Sequence, residues 1–213
     1  MTRHKLIRYQ QNTSLNHLIQ SDTSNYKHYG YLYGRRWSQY FGNDHPIVLE
    51  LGCGQAEHSV YGAIHYPHIN WIGIDIKWDR LRHAAKIAHE KHLNNLALLR
   101  LNIHTLSLRF MPWEVAEILI PYPDPRPLDR DTKRRLTYPR FLSIYYNVLS
   151  IWWCIKCKTD DQDFFSYTCK VAQESGRILQ MDSHSWILSE FPEIISQFSL
   201  KKWKGQTCIY MRP

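Results

Sequence analysis

Two carboxylates flank a glycine turn in residues 47–57, where residue types and spacing first indicate ligand binding. Glu50 precedes Gly52 and Gly54, and Glu57 follows them. The apolar residues before the turn predict a buried strand, and the glycines would let the backbone approach a ligand at the start of a helix. A pyrophosphate would be repelled by nearby carboxylates, whereas a cation would be attracted. The turn therefore favours a cationic ligand, with a purely structural strand–turn–helix unit as the alternative.

Asp75 extends this pattern to a second strand. It ends the apolar segment 71–75 and lies 21 positions after Gly54. An acid at that position of a nucleotide-binding sheet accepts hydrogen bonds from ribose hydroxyls. Asn102 follows a third segment, 96–101, where we expect the edge of an adenine. S-adenosylmethionine fits these features better than NAD, because it carries a sulfonium and an ammonium group.

A proline-rich loop offers a further carboxylate. Prolines at positions 121, 123, 125 and 127 surround Asp124. Because proline fixes its own φ angle, the loop should hold Asp124 in one place at the carboxyl edge of the sheet, where ligands bind in open α/β folds. The basic residues Arg130, Lys133, Arg134 and Arg135 follow and could bind phosphates together. Such a run alone would be a solvated surface in most proteins.

Alternating strands and helices are needed to bring these residues to one edge. Apolar segments predict strands at 47–51, 71–75, 96–101, 115–120, 153–158, 178–181 and 208–211. Helices are expected after the glycine turn as far as Tyr66, over 79–92, from Pro139, and over 161–174. The predicted fold class is α/β, a doubly wound, mostly parallel twisted sheet with helices on both faces.

Composition limits the class of protein and of partner. The 213 residues suit one α/β domain with extensions, and an apolar content of 44% excludes a disordered chain. No apolar run is long enough to span a membrane, and five cysteines, an odd number, favour a reducing cytoplasmic setting. A formal charge of +8 predicts an anionic partner, with nucleic acid first and a merely basic soluble protein as the alternative.

Metal ligation is not expected. The 12 histidines are scattered without ligand spacing. Cys154 and Cys157 have a metal-like separation, but residues three apart in a strand face opposite sides. We therefore predict a reaction without a metal.

Residues 1–42 are expected to form a basic, tyrosine-rich arm ahead of a domain over 43–213. The arm has one acid, Asp22, and six basic residues, which are Arg3, Lys5, Arg8, Lys27, Arg35 and Arg36. Its aromatic residues, Trp37 and the tyrosines at 9, 26, 29, 31, 33 and 40, alternate with these charges. This pattern suits phosphate contacts with base stacking. An arm folded onto the domain with buried tyrosines is the alternative.

From position 41 to 163 the chain resembles the tRNA (guanine-N7)-methyltransferases of the bacterial TrmB type. The matching stretches are Phe41-Gly-Asn-Asp, Leu49-Glu-Leu-Gly-Cys-Gly, Trp71-Ile-Gly-Ile-Asp, Tyr122-Pro-Asp-Pro, Lys133-Arg-Arg-Leu-Thr-Tyr and Lys158-Thr-Asp. A proline–aspartate–proline loop followed by Lys-Arg-Arg at this distance is close to diagnostic for that family.

The resemblance implies a class I methyltransferase fold, S-adenosylmethionine as methyl donor, and guanine N7 in the variable loop of tRNA as acceptor. It implies a donor site made of Glu50, Gly52, Asp75, Asn102 and Asp124, with Asp124 also catalytic. It implies a substrate site made of Asp160, Arg130, Lys133, Arg134 and Arg135. We expect a monomer or a homodimer.

Four departures from the family pattern affect the expected activity. Ala56 replaces the third glycine of the turn, and Arg126 and Leu128 replace a tryptophan and a substrate-contacting lysine of many members. Residues 151–153 replace a Pro-Gly-Gly, and residues 197–200 replace a Thr-x-x-Glu. A degenerate relative that binds tRNA or S-adenosylmethionine without turnover is therefore the alternative. The basic arm and cluster argue against a small-molecule methyltransferase.

Overall fold

A single sheet organises the part of the chain that the computed structural model describes, residues 17–20, 37–150, 154–176, 178–182 and 207–212. Its strands are β1 (Leu18–Gln20), β2 (Ile47–Leu51), β3 (Asn70–Asp75), β4 (Leu96–Arg100), β5 (Glu117–Pro121), β6 (Ile155–Thr159), β7 (Ile178–Asp182) and β8 (Thr207–Arg212). The spatial order is β1-β4-β3-β2-β5-β6-β8-β7. The pairs from β1 to β6 are parallel, and β8 runs antiparallel between β6 and β7. The predicted mostly parallel sheet is confirmed.

Helices cover both faces of the sheet, as predicted. The helices are α1 (Trp37–Phe41), α2 (Glu57–His65), α3 (Trp78–Glu90), α4 (Pro139–Val148) and α5 (Gln162–Glu174), with 3₁₀ helices η1 (Ile103–Leu108) and η2 (Asp129–Arg134). Leu49 and Ile72 belong to the core under α1, α4 and α5, whereas their neighbours Val48 and Trp71 belong to the core under α2 and α3. Neighbouring residues of a strand point to opposite faces, so β2, β3, β4 and β5 contribute to both cores.

Strand β1 and helix α1 lie within the segment that the sequence predicts as an arm. Strand β1 was not predicted, and it pairs with β4 from Leu18 to Gln20. The Trp37 side chain is 1% exposed, stacks on Phe110 with 5.4 Å between ring centroids, and donates from Nε1 to the Arg109 carbonyl. These parts of residues 1–42 therefore belong to the sheet and the core. The six basic residues of the arm, and its tyrosines except Tyr40, lie outside the described residues.

Helix α2 packs unusually closely on strand β3, at Gly62. A Cβ atom added there would lie 2.2 Å from the ring of Trp71, which is fully buried. No side chain fits at that distance. Glycine at this position therefore sets how near the helix that follows the glycine turn comes to the sheet.

A buried ion pair joins strands β5 and β6. Lys156 Nζ lies 2.9 Å from Glu117 Oε2, and the two side chains are 3% and 8% exposed. Each of these charges has been removed from water, and its attraction to the opposite charge offsets part of that cost. The pair is therefore a structural feature of the strands that lead to the carboxyl edge.

None of the helices in the described part of the chain combines the length and the apolar character needed to cross a bilayer. Within the same residues, no group of three or more His, Cys, Asp or Glu side chains is arranged to hold a metal ion. Cys53, Cys154, Cys157 and Cys169 are buried free thiols.

Candidate active site at the carboxyl edge of the sheet

The ends of five parallel strands assemble the candidate site. From one side to the other, β4 leads to Asn102, β3 to Asp75, β2 to the glycine turn, β5 to the Asp124 loop and β6 to Asp160. Neighbouring strands are about 4.8 Å apart, so this row spans roughly 19 Å. The order separates the residues expected to bind a donor from those expected to bind an acceptor, with the Asp124 loop between them.

Asp75 fixes the shape of the glycine turn. Its Oδ2 accepts a 2.9 Å hydrogen bond from the Gly54 N–H, and its Oδ1 accepts one of 2.7 Å from the Lys77 N–H. The turn itself uses left-handed backbone, with φ of 67° at Gly52 and 57° at Gly54. Asp75 is 6% exposed. Each carboxylate oxygen has a second acceptor site, so a ribose hydroxyl could still donate to it.

Glu50 connects the strand before the glycine turn to the helix that follows it. It is 1% exposed, and its Oε2 accepts hydrogen bonds from the N–H and the hydroxyl of Ser59 in α2. Its Oε1 lies 3.2 Å from Nδ1 of His58. The carboxylate thus engages the first turn of α2. The residues in this structure give Glu50 a positioning role, and its influence on a ligand would be electrostatic.

The buried thiol of Cys53 lies close enough to Glu50 and Asp75 to be affected by their charges. Burial raises the pKa of Cys53 well above its ordinary value, and the carboxylates of Glu50 and Asp75 raise it further. A site in which two carboxylates disfavour another anion favours a cationic ligand for the same reason. The thiol stays protonated and is not a nucleophile.

Ala56 adopts the conformation expected of the glycine that it replaces. Its φ of 54° and ψ of 38° are left-handed, at the residue just before α2, and its side chain is fully buried. A left-handed residue other than glycine costs roughly 1–2 kcal/mol. The departure at this position therefore keeps the geometry of the turn at a small energetic cost.

The proline-rich loop presents Asp124 between two strained residues. Tyr122 and Arg126 have φ angles of 48° and 49°, which side chains of this size rarely adopt. Proline cannot take a positive φ, so the alternating non-proline residues make the turns. The side chain of Asp124 is 61% exposed, and its Oδ2 lies 3.1 Å from Arg126 Nε. Local strain of this kind is typical of functional loops.

Asn102 lies at the donor end of the row. Its side-chain oxygen accepts a 3.1 Å hydrogen bond from the His104 N–H and so caps η1. The residue is exposed at the tip of β4. At the other end, Asp160 is exposed directly after β6, ahead of Asp161, which caps α5.

The expected four-residue basic cluster is divided by the structure. Arg130, Lys133 and Arg134 are exposed on or beside η2, and Arg134 pairs with Asp131 at 3.1 Å. Arg135 instead is buried, with 9% of its surface exposed. Its guanidinium donates to the Arg126 carbonyl at 3.1 Å and lies over the ring of Tyr167. Sequence spacing could not reveal this inward orientation, nor the pairing of Arg126 with Asp124.

Comparisons with known proteins agree with this geometry. A family model described as "Putative methyltransferase" matches residues 44–208. The tRNA (guanine-N(7)-)-methyltransferase of Cytophaga hutchinsonii is 37% identical over 171 residues, covering 80% of this chain and 76% of the relative. The enzyme of the same name from Geobacillus thermodenitrificans is 36% identical over 186 residues, covering 84% and 85%.

Solved structures show the same fold at low sequence identity. An antibiotic-related methyltransferase aligns with a TM-score of 0.60 at 14% identity, covering 83% of this chain and 92% of that one. A SAM-dependent methyltransferase from Aquifex aeolicus aligns with a TM-score of 0.56 at 12% identity, covering 83% and 87%. The family match and the identities over most of both sequences are sufficient to classify the protein: the chain belongs to the tRNA (guanine-N(7)-)-methyltransferase family.

Proposed function

We propose that this protein transfers a methyl group from S-adenosylmethionine to N7 of a guanine in the variable loop of tRNA. The row of functional residues along the carboxyl edge carries the proposal, because it joins a nucleotide-type donor site to a basic acceptor side through Asp124. The relatives named tRNA (guanine-N(7)-)-methyltransferase support the same reaction. Methylation of tRNA lacking the modification, with mass analysis of its nucleosides, is the direct test.

The donor side fits S-adenosylmethionine. The buried carboxylates of Glu50 and Asp75 lie at the turn and favour a ligand with a sulfonium and an ammonium group. In this proposal Asp75 accepts from the ribose, the backbone at Gly52 lies against the donor, and Asn102 meets the adenine edge. Glu50 keeps the turn in shape. The bound donor supplies an electrophilic methyl group.

The acceptor side fits a guanine within a polyanion. In this proposal Asp160 accepts hydrogen bonds from the base's N1–H and exocyclic amine. Arg130, Lys133 and Arg134 bind phosphates, since all three are exposed beside the Asp124 loop. We extend the tRNA-binding surface to the basic arm in residues 1–42 and assign the chemistry to residues 43–213.

Positioning dominates the chemistry that the residues must perform. Guanine N7 has a free lone pair and needs no deprotonation, so the protein mainly has to align the nucleophile with the methyl group and sulfur. The base becomes positively charged as the bond forms. Asp124 stabilises this charge, and no metal is required. We propose that the protein acts in the cytoplasm as a monomer or a homodimer.

A binding protein without turnover is the second candidate. It is favoured by Leu128, an uncharged and 50% exposed side chain at a position where the family resemblance implies a lysine. A chain that binds donor and tRNA in equilibrium experiments but leaves no 7-methylguanosine after prolonged incubation would support this candidate instead.

Replacement of Asp75 by alanine should weaken donor binding. The variant loses the acceptor for ribose and the hydrogen bond that holds Gly54, so we expect a loss of about 1–3 kcal/mol in calorimetry. Asp79→Ala is the control, because this exposed acid lies in the first turn of α3, outside the row of strand ends. Equal affinity of the native protein and Asp75→Ala would reject the assignment.

Binding of tRNA should depend steeply on salt. Each phosphate contact removed by Lys133→Ala or Arg134→Ala should reduce the magnitude of the slope of log affinity against log salt by roughly 0.7–0.9. Lys170→Ala is a matched control, since its side chain is 74% exposed on α5, compared with 68% for Arg134. Slopes that match across all variants would refute the role of η2 in phosphate binding.

A further inference from the structure

His104 and Arg140 connect three elements beside the candidate site. Arg140 Nη2 lies 3.4 Å from Nε2 of His104 and donates a 3.3 Å hydrogen bond to the Lys133 carbonyl. His104 belongs to η1, Arg140 to α4 and Lys133 to η2. One guanidinium group therefore bridges the turn that follows β4 and the basic segment that follows β5.

The histidine is held in an orientation that suits this bridge. Its ring lies 4.5 Å from the ring of Phe141, a side chain that is 4% exposed. Its backbone N–H donates a hydrogen bond to the side-chain oxygen of Asn102. Arginine can only donate hydrogen bonds, so Nε2 must be the acceptor and the ring must be neutral with its proton on Nδ1. The ring therefore contacts Phe141 with one face and Arg140 through Nε2.

Arg140 occupies a position that helix electrostatics alone would not favour. It lies in the first turn of α4, directly after Pro139, and that turn has no acidic residue. The positive end of the helix dipole opposes a cation there. The acceptors at His104 and Lys133 offset this repulsion, so the location of Arg140 is explained by the bridge.

We propose that His104 and Arg140 form a positioning link that holds the basic helix η2 in register with the donor side of the site. The inference rests on the proposed function, because it assigns the link a role in tRNA binding. Arg140 anchors the backbone of Lys133 and thereby orients the exposed charges of Lys133 and Arg134. Neither linking residue is a catalytic residue.

The link should depend on pH. Burial lowers the pKa of His104, and the nearby positive charge of Arg140 lowers it further. Arg140 is the charged side chain that faces the ring from α4, while η2 contributes the Lys133 carbonyl to Arg140. The neutral ring accepts the hydrogen bond above the lowered pKa. As the pH falls through that value, the ring gains a proton, repels Arg140, and the link is lost.

The first test measures the link without any reaction. NMR titration of the His104 ring in the full chain should show a higher pKa in Arg140→Ala than in the native protein, and a restored low pKa in Arg140→Lys. His83→Ala provides the control, because His83 is an exposed histidine on α3. An unchanged His104 pKa in Arg140→Ala overturns the link.

The second test asks whether the link acts on tRNA. His104→Ala at pH 7.5 should weaken equilibrium tRNA binding about tenfold, the effect of losing a hydrogen bond to a charged group, while donor affinity stays within twofold. The magnitude of the salt slope should fall, by no more than it does in Lys133→Ala, because the link acts through the phosphate contacts of Lys133 and Arg134. His104→Gln, which keeps an acceptor, should recover part of the affinity. Unchanged tRNA affinity, or a weaker affinity with an unchanged salt slope, overturns the proposal.

A double-variant cycle separates linkage from independent effects. If the residues act together, adding His104→Ala to Arg140→Ala should cause no further loss of tRNA affinity. Fully additive losses would overturn the proposal. Failure of the native chain to methylate tRNA would defeat the proposed function alone, since equilibrium binding by these variants still decides on the link. Failure of the native chain to bind tRNA would overturn both.

Discussion

Asp124→Asn should reduce the rate of methyl transfer by about a hundredfold at saturating donor, which corresponds to roughly 2.7 kcal/mol. Asparagine keeps the shape of the side chain and an acceptor for the Arg126 N–H, which donates to Asp124 Oδ1 at 3.2 Å. It removes the negative charge that would stabilise the cationic base. Single-turnover assays with excess protein and donor would isolate this step, and tRNA affinity should change much less.

A matched control separates charge at the reacting base from charge in the neighbourhood. Asp129→Asn removes one carboxylate from the exposed first turn of η2, five residues further along the chain. We expect its rate to stay near the native value. A native rate in Asp124→Asn would assign Asp124 to the scaffold of the loop. No turnover in the native protein would favour the binding-only candidate.

Glu117→Gln should destabilise the protein by about 3–5 kcal/mol, because the buried charge of Lys156 would lose its ion-pair partner at 2.9 Å. For a domain of this size, that loss corresponds to a fall in Tm of roughly 6–20 °C. Denaturant titration gives the free energy of unfolding, and thermal unfolding gives the shift in Tm. Donor binding by the folded fraction should be retained, since the pair lies outside the row of strand ends.

Two further variants identify burial as the cause. Glu117→Leu combined with Lys156→Met replaces both charges by apolar groups and should recover most of the stability. Glu174→Gln removes one partner of an exposed pair, where Lys170 lies 3.8 Å from Glu174, and should cost less than about 1 kcal/mol. Equal losses for the buried and the exposed pair would contradict the explanation.

The sequence was informative about the sheet because local patterns determine much of it. The apolar run over residues 47–51 matches β2 in full, and the segments ending at Asp75 and Arg100 differ from prediction by one residue. Buried parallel strands appear as such runs, and their carboxyl ends must share an edge. The location of Asp75, Asn102 and Asp124 at one edge of the sheet could therefore be predicted from the order of strands and helices along the chain.

Side-chain direction depends on tertiary packing, and the sequence did not reveal it. Glu50 faces α2 because Ser59 donates to it there, and Arg135 faces Arg126 and Tyr167 because the Arg126 carbonyl accepts its hydrogen bond. Strand β1 has only three residues and no alternating pattern of its own. It exists through its pairing with β4, a contact across about eighty positions of the chain.

The pairing of β1 with β4 also affects whether the edge of the sheet is open to strands of another molecule. Strand β4 would otherwise present unpaired N–H and C=O groups beside β3, and an open edge of this kind templates intermolecular strands. Strand β1 occupies the edge, and His17 fastens it through the 2.7 Å bond from the Leu98 N–H to its carbonyl. A fragment that begins at position 43 would lose this cover together with Trp37 and Phe41. Strand β1 thus covers an edge of the sheet that could otherwise pair with another copy of the chain.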